Sequence, residues 1–219
     1  MRKFSYLLIL VGILIILYPK ANERFNDWQQ NKLLDEAEQS YNDSAAPPVD
    51  PDLTSKYAKV TQLLDEGSTS DEQVQTEGVD TGTADPELGG NVIALIEISK
   101  IDLKLPVLEG ATKANMKHAA THMKETTPLG EIGNAAIAAH RARKTGRLFN
   151  RLNEVAIGDV ITIKTKNQVY NYEVYDISIV EPTDVSVLEG NTKDKILTLI
   201  TCDPLVNPTH RLIVHAKLP

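Results

Sequence analysis

The distribution of apolar and polar residues divides the chain into three parts. Residues 4–18 form an uncharged apolar run that follows Arg2 and Lys3. Residues 19–90 are mostly polar, whereas from Val92 onward short runs rich in β-branched residues alternate with turn residues. We therefore predict three segments, which cover residues 1–18, 19–90 and 91–219.

The apolar run predicts an uncleaved, single-pass signal anchor. As a helix it is about 22 Å long, against a hydrocarbon core of about 30 Å. The residues that follow it are Tyr18, Pro19 and Lys20, which lack the small-residue pattern of a signal-peptide cleavage site. A cleaved signal peptide is the alternative. Either way, the basic residues stay on the cytoplasmic side of the membrane, and the chain after the apolar run lies outside the cytoplasm.

The polar segment 19–90 predicts an acidic stalk. It carries 5 basic and 16 acidic side chains, a net charge of −11, against −7 for the whole chain. Apolar positions from Phe25 to Tyr41 follow a loose helical stripe, and residues 53–65 allow one more short helix. Residues 66–90 contain too few apolar side chains to bury a core. A solvated spacer is favoured over a charged binding segment.

The third segment predicts an all-β domain. Apolar, β-branched runs bounded by turns predict strands at 92–98, 103–108, 135–140, 160–163, 169–180, 196–202 and 212–217. A short helix is expected from Ala111 to Met123. Seven or eight short strands with few helices indicate a closed or nearly closed β-barrel.

Composition excludes several classes of function. Residues 92–219 carry 16 basic and 14 acidic side chains, a balance that argues against nucleic acid as the main ligand. Cys202 is the single cysteine, so the chain has neither an internal disulfide nor a zinc site built from several cysteines. By itself, a lone cysteine is either an inert packing residue or a reactive thiol.

Cys202 and Arg211 are candidates for one site. Cys202 ends a predicted strand, and Arg211 opens the next strand nine residues later. If the two strands form a hairpin, both side chains lie at the same end of the sheet. An arginine there would favour a thiolate and would donate hydrogen bonds to a developing oxyanion. At the edge of the core, the thiol would face a loop.

The candidate base is His140, which closes another predicted strand and precedes a basic loop. A surface or hydrogen-bonded structural histidine is the alternative at that position. His118 and His122 lie four residues apart on the predicted helix, which is a metal-ligand spacing. No third ligand accompanies them, so no metal is predicted.

Three motifs together resemble the sortase family. Thr198-Leu199-Ile200-Thr201-Cys202 is similar to the TLxTC signature of sortases. Asn207 to Val214 resembles the segment that contains the sortase arginine, and Ala138-Ala139-His140-Arg141 resembles its histidine segment. The motifs occur in the family's order, and the resemblance covers about residues 92–219.

The resemblance implies an eight-stranded β-barrel and a membrane-anchored cysteine transpeptidase of Gram-positive cell surfaces that needs no cofactor. It implies Cys202 as nucleophile, His140 as proton donor to the leaving amine, and Arg211 as the group that stabilises the oxyanion or holds the substrate backbone. The implied substrates are secreted proteins with a C-terminal Leu-Pro-x-Thr-Gly-like signal, and the implied acceptor is an amine of lipid II or peptidoglycan. Candidate substrate-binding residues are Val185, Val187, Leu188 and Thr201. The three aliphatic residues lie in loop 181–195, where they would line a groove or anchor the loop.

Within the family, the chain looks most like class D. Asp85-Pro86 is followed by Glu87, which departs from the Asp-Pro-aromatic lid motif typical of pilin-polymerising class C. A class A housekeeping enzyme is the next alternative. Outside the family, a cell-wall cysteine hydrolase and a non-enzymatic, membrane-tethered β-barrel module are the competing interpretations. The hydrolase would normally place its histidine after the cysteine, and the module would not require Cys202.

Overall fold

The structure is a computed structural model that describes residues 24–25, 27–35, 53–69 and 92–219. The predicted anchor, residues 1–18, and the Asp85-Pro86 segment lie outside these ranges. Across the described ranges, no helix is both long and apolar enough to span a membrane. Residues 27–35 are helical, and most of the described chain belongs to ten further elements. These are the helices α1 (Leu53–Thr69) and α2 (Lys113–Met116) and the strands β1 (Val92–Ile98), β2 (Leu103–Glu109), β3 (Ala120–His122), β4 (Gly133–Ala138), β5 (Val160–Thr165), β6 (Val169–Val180), β7 (Lys195–Asp203) and β8 (His210–Lys217).

The eight strands form a closed barrel in the order β1-β2-β3-β4-β7-β8-β6-β5. This confirms the predicted all-β, eight-stranded fold. Strand pairs β2–β3 and β4–β7 are parallel, and the other six pairs are antiparallel. Closure gives each of the eight described strands a partner on both sides.

The interior of the barrel is filled by alternate residues of nearly every strand. The largest cluster includes Ile96, Leu105, Ile163, Leu199 and Val214, all of which are fully buried. Runs such as 92–98 could be identified from sequence because they are short, apolar and rich in β-branched residues. Polar residues at the intervening positions of β6 face solvent.

A second apolar cluster lies outside the barrel, between α1 and the outer faces of β4, β7 and β8. Tyr57, Val60 and Leu64 of α1 belong to it, together with Ile200 and Ile213. As a result, seven consecutive residues of β7, from Ile196 to Cys202, are buried. Both faces of β7 are covered, which explains its nearly continuous apolar sequence.

The predicted helix from Ala111 to Met123 is wrong in extent. Only Lys113–Met116 is helical, and the Thr112 hydroxyl caps it by accepting a hydrogen bond from the Asn115 amide. The chain then enters the barrel as β3, parallel to β2 and antiparallel to β4. Strand pairing on both sides overrides the helical propensity of this alanine-containing segment.

Candidate active site

The pairing of β7 with β8 brings Cys202 and Arg211 together. The two strands are antiparallel, and Cys202 is directly opposite Arg211 in the register. Both residues lie at the same end of the barrel, as the hairpin interpretation predicted. Each is one residue inside its strand, because Asp203 pairs with His210 beyond them.

His140 reaches the same end through the parallel pair β4–β7. Ala138 is opposite Ile200, and the Ala139 amide donates to the Ile200 carbonyl at 3.2 Å. His140 therefore follows β4 by two residues, just as Cys202 follows Ile200 by two. The three candidate catalytic residues come from neighbouring strand ends of one sheet region.

The prediction that Cys202 lies at the edge of the core, facing a loop, is wrong. Its side chain is 1% exposed and Arg211 is 0% exposed, because α1 covers this end of the sheet. The Cys202 thiol lies 3.6 Å from the Leu64 carbonyl oxygen, to which it donates. Arg211 Nη2 donates to Asp65 Oδ1 at 2.8 Å and to the Thr61 carbonyl at 3.1 Å. One turn of α1 thus occupies the polar groups of both residues.

The same helix also lies against His140. A Cβ atom placed on Gly67 would be 2.0 Å from His140 Cε1 and 2.4 Å from Nδ1. The lack of a side chain at Gly67 is what permits this close approach. All three candidate catalytic residues therefore contact the stretch of α1 from Thr61 to Gly67.

Contacts along its length hold α1 in place. The Thr61 hydroxyl donates to the Pro182 carbonyl at 3.2 Å, and Lys113 Nζ lies 3.2 Å from Glu66 Oε2. Burial raises the pKa of Tyr57, which packs in the cluster beneath the helix. The spacing of Tyr57, Val60, Thr61 and Leu64 is a helical stripe, and it was the available signal that this segment docks on a surface.

Val187 and Leu188 contribute to the cluster under α1, and Val185 packs against its border. They form a 3-10 turn, Val185–Leu188, whose first residues are capped by the Asp184 carboxylate. Thr201 is fully buried, and its hydroxyl donates to the Ala139 carbonyl at 2.8 Å, which ties β7 to the end of β4. A direct role of these four residues in binding substrate stays a prediction.

Asn134, which was not predicted as a site residue, and Thr198 of the TLxTC-like motif hold this 3-10 turn. Asn134 Nδ2 donates to the carbonyls of Val187 and Glu189, at 3.1 and 3.2 Å. The Thr198 hydroxyl donates to Asn134 Oδ1 at 2.7 Å. In sequence, an asparagine preceded by glycine is typical of a loop. The β4–β7 pairing places Asn134 beneath the 3-10 turn Val185–Leu188.

His118 and His122 have separate environments. His122 is in β3, where Nδ1 lies 3.1 Å from both Glu109 carboxylate oxygens and Nε2 lies 3.0 Å from the Thr127 carbonyl. Burial, together with the nearby positive charges of Lys117 and Arg147, lowers the pKa of His118 to about 4. Within the part of the chain that the structure describes, no three His, Cys, Asp or Glu side chains converge as a metal ion would require.

Comparisons with known proteins identify the family of this arrangement. A family model described as Sortase domain matches residues 96–219. Sortase A of Bacillus anthracis is 34% identical over 157 residues, which are 67% of this chain and 74% of the relative. Sortase A of Listeria monocytogenes is 34% identical over 127 residues, so the match spans 58% of this chain and only 56% of that relative.

Solved structures agree with the sequence matches. The chain resembles a Clostridium perfringens Sortase D5 transpeptidase with a TM-score of 0.60 and 28% identity, over 87% of this chain and 98% of the other. It resembles Listeria monocytogenes sortase A with a TM-score of 0.54 and 33% identity, over 58% of this chain and 87% of the other.

Proposed function

Because the chain belongs to the sortase family, we propose that it is a membrane-anchored cysteine transpeptidase of the cell surface. It cleaves a C-terminal Leu-Pro-x-Thr-Gly-like sorting signal between Thr and Gly and joins the cut protein to an amine of lipid II or peptidoglycan. The observation that carries this proposal is the convergence of His140, Cys202 and Arg211 at one end of the barrel.

The first half of the reaction forms a thioester. The reacting pair is a Cys202 thiolate and a His140 imidazolium, formed when the thiol gives its proton to the imidazole. The thiolate attacks the Thr carbonyl carbon of the Thr–Gly bond, and the carbonyl oxygen becomes an oxyanion that accepts hydrogen bonds from Arg211. The C–N bond then breaks, and the His140 imidazolium gives its proton to the departing glycine nitrogen. Arg211 is suited to this role, since in the structure its Nη2 already donates to two oxygens, one of a carbonyl and one of a carboxylate.

The second half transfers the acyl group. The acceptor amine attacks the thioester carbonyl, and the now neutral His140 takes a proton from the amine nitrogen. The C–S bond breaks, which releases the Cys202 thiolate and a new amide. The site returns to the thiolate and imidazolium with which it began.

In the structure, α1 occupies the groups that this reaction needs. The Leu64 carbonyl accepts from the thiol, and Asp65 and Thr61 accept from Arg211. A peptide carbonyl cannot reach both Cys202 and Arg211 while these contacts persist. Substrate binding therefore requires that α1 leave this end of the barrel.

The proposed anchor is the apolar run 4–18, which would hold the catalytic domain outside the cytoplasm. Class D is the proposed subclass, supported by the likeness to the Clostridium perfringens Sortase D5 over 87% of this chain. The higher identity to the Sortase A relatives favours class A as the alternative.

A peptide-transfer assay tests the proposed function. The chain is incubated with a fluorescent Leu-Pro-x-Thr-Gly peptide and increasing concentrations of oligoglycine, and products are identified by mass spectrometry. We expect the amide product to replace the acid as amine increases, and Cys202→Ala to abolish both. Acid as the sole product at every amine concentration, with several acceptors tried, would favour the hydrolase interpretation.

A further inference from the structure

The backbone ladder that joins the histidine strand to the cysteine strand ends before it reaches either catalytic residue. Strands β4 and β7 pair from Gly133 and Lys195 to Ala138 and Ile200, and the Ala139 amide adds one more bond to the Ile200 carbonyl. His140 and Cys202 lie beyond the last of these bonds. Their separation therefore depends on contacts other than the β4–β7 ladder.

One such contact joins the two residues that directly follow them in sequence. Arg141 Nη1 donates to Asp203 Oδ1 at 2.5 Å and to the Cys202 carbonyl at 3.4 Å. The side chain of Arg141 is 9% exposed and that of Asp203 is 23% exposed, so water screens this pair less than a surface pair. The ion pair thus bridges β4 and β7 beyond the end of their ladder.

Arg141 is itself held on the histidine side. Its Nε donates to the Asn150 carbonyl at 3.5 Å, and the Asn150 side chain donates to the Ala142 carbonyl. The Phe149 amide donates to the His140 carbonyl at 3.0 Å, which closes the loop that follows the histidine. The guanidinium therefore connects a closed loop on one side to the cysteine strand on the other.

We infer that Arg141 and Asp203 are positioning residues that set the distance between the His140 imidazole and the Cys202 thiol. This inference rests on the proposed function, in which the thiolate attacks the substrate and the imidazole transfers protons during thioester formation and breakdown. On the cysteine side, Arg141 contacts the Cys202 carbonyl oxygen and the Asp203 carboxylate. A misplacement of about 1 Å in a catalytic pair can cost about 10²-fold in rate, so the pair would act on kcat more than on substrate binding.

The first test compares this pair with an arginine–carboxylate pair on the surface. Arg151 and Glu154 are joined by two hydrogen bonds, at 2.7 and 2.8 Å, on the exposed surface. The variants are Arg141→Gln, Asp203→Ala, the double variant and the control Glu154→Ala, each in the full chain. Steady-state kinetics with a sorting peptide give kcat and KM, and thermal melts report folding.

We expect Arg141→Gln and Asp203→Ala each to lower kcat by tenfold to a hundredfold, with KM within about twofold of wild type. The kcat of the double variant should be no lower than that of the less active single variant, because both changes break the same ion pair. Glu154→Ala should stay within twofold, since exposed pairs contribute little. Equal kcat in wild type and both single variants, or a rise in KM alone, would overturn the inference. Arg141→Lys keeps a charge and should restore part of kcat if Arg141→Gln folds poorly.

A second readout does not depend on transfer activity. Cys202 is the only cysteine, so its alkylation by iodoacetamide over a range of pH reports one thiol. A displaced imidazole should move the midpoint of alkylation upward, toward the value of about 8.5 for a free cysteine. In Asp203→Ala, displacement of the imidazole would raise the alkylation midpoint, whereas loss of the nearby negative charge alone would lower it. Arg211 and Asp65, a charged pair beside this site, are unchanged in every variant.

The two readouts separate failure of this inference from failure of the proposed function. If wild type transfers the peptide and the pair variants match it in kcat and in alkylation midpoint, the inference is wrong and the function stands. If wild type shows no transfer but Asp203→Ala raises the midpoint, the pair positions the thiol and the function is wrong. A lowered midpoint in Asp203→Ala would assign to Asp203 a purely electrostatic effect and overturn the positioning role.

Discussion

Arg211 shows how far a residue's role follows from its position in sequence. Its spacing from Cys202 predicted that the two would meet across a hairpin, and they are direct partners in the β7–β8 register. Its position near a strand end does not predict that the side chain is buried. Arg211 is among the largest fully buried side chains, and it donates to α1 and to the His210 carbonyl. Burial of this kind depends on a distant helix, which local spacing does not reveal.

Substitution of Arg211 by lysine or by alanine distinguishes the effect of its charge on activity from the effect of its planar geometry. Arg211→Ala should lower kcat/KM for a sorting peptide by about 10²–10³-fold, because it removes a preorganised donor to the oxyanion. Arg211→Lys keeps the charge but loses the planar fork, so it should lose a large part of the same activity. Thermal melts of both variants separate lost catalysis from unfolding. Near-wild-type activity in Arg211→Ala, with Cys202→Ala inactive, would remove Arg211 from the site.

His118 predicts an acid-dependent loss of stability. Its pKa in the folded protein is about 4, against an ordinary value of 6.5, chiefly because burial disfavours the charged form. The stability that neutral His118 contributes is therefore complete above pH 6.5 and declines as pH falls toward 4. Over that range each pH unit costs up to about 1.4 kcal/mol. Chemical denaturation at pH 7 and pH 4.5 should show a smaller decline in His118→Gln than in wild type.

The control for this prediction is His210→Gln, which changes a partly exposed histidine on the barrel surface. The decline measured in His210→Gln is the reference for substitution of a histidine outside the barrel core. An identical decline in wild type and His118→Gln would show that the acid sensitivity arises from other groups.

At the scale of elements, strands were predicted more reliably than helices. β1 and β6 have the predicted bounds, because β-branched composition and flanking turn residues are local properties of the sequence. α2 and β3 replaced one predicted helix, since pairing with β2 and β4 is a property of the whole sheet. The docking of α1 over the site was not predicted either, because its partners lie more than a hundred residues away in sequence.

Asp65 and Glu66 allow a matched test of how α1 is held over the site. Asp65 pairs with buried Arg211, whereas Glu66 pairs with exposed Lys113. Asp65→Ala leaves a buried guanidinium without its anion, which destabilises the covered state relative to the open one. We expect iodoacetamide to alkylate Cys202 several-fold faster in Asp65→Ala and KM for a sorting peptide to fall. Glu66→Ala should alkylate at the wild-type rate, because an exposed pair contributes little.

Equal alkylation rates in Asp65→Ala and Glu66→Ala would show that the apolar face of α1 alone holds the helix. That face includes Tyr57, Val60 and Leu64, which pack on β4, β7 and β8. In that case Leu64→Ala should accelerate alkylation where Asp65→Ala does not.

At the scale of the whole molecule, the closed barrel and the residues that precede it have different sequence patterns. Among the described residues, the buried cluster inside the barrel extends from Ala94 to Ala216. The interpretation of residues 19–90 as a spacer stays a prediction, but α1 within it buries apolar surface against the barrel. The composition of residues 66–90 is what a spacer requires, whereas residues 53–64 have the apolar stripe of a docking helix.

A chain that begins at Gly89 tests this division. It keeps every residue of the barrel core but exposes the outer cluster, including Val187, Leu188 and Ile213. Exposed apolar surface costs about 25 cal/mol per Å², so this chain should melt cooperatively but several degrees below a chain that begins at Asp50. Its Cys202 should be alkylated at least tenfold faster, because the Leu64 carbonyl and the rest of α1 no longer cover the thiol. A non-cooperative melt would show that α1 is required for the barrel to fold. An unchanged alkylation rate together with a cooperative melt would show that α1 does not limit access to the site in solution.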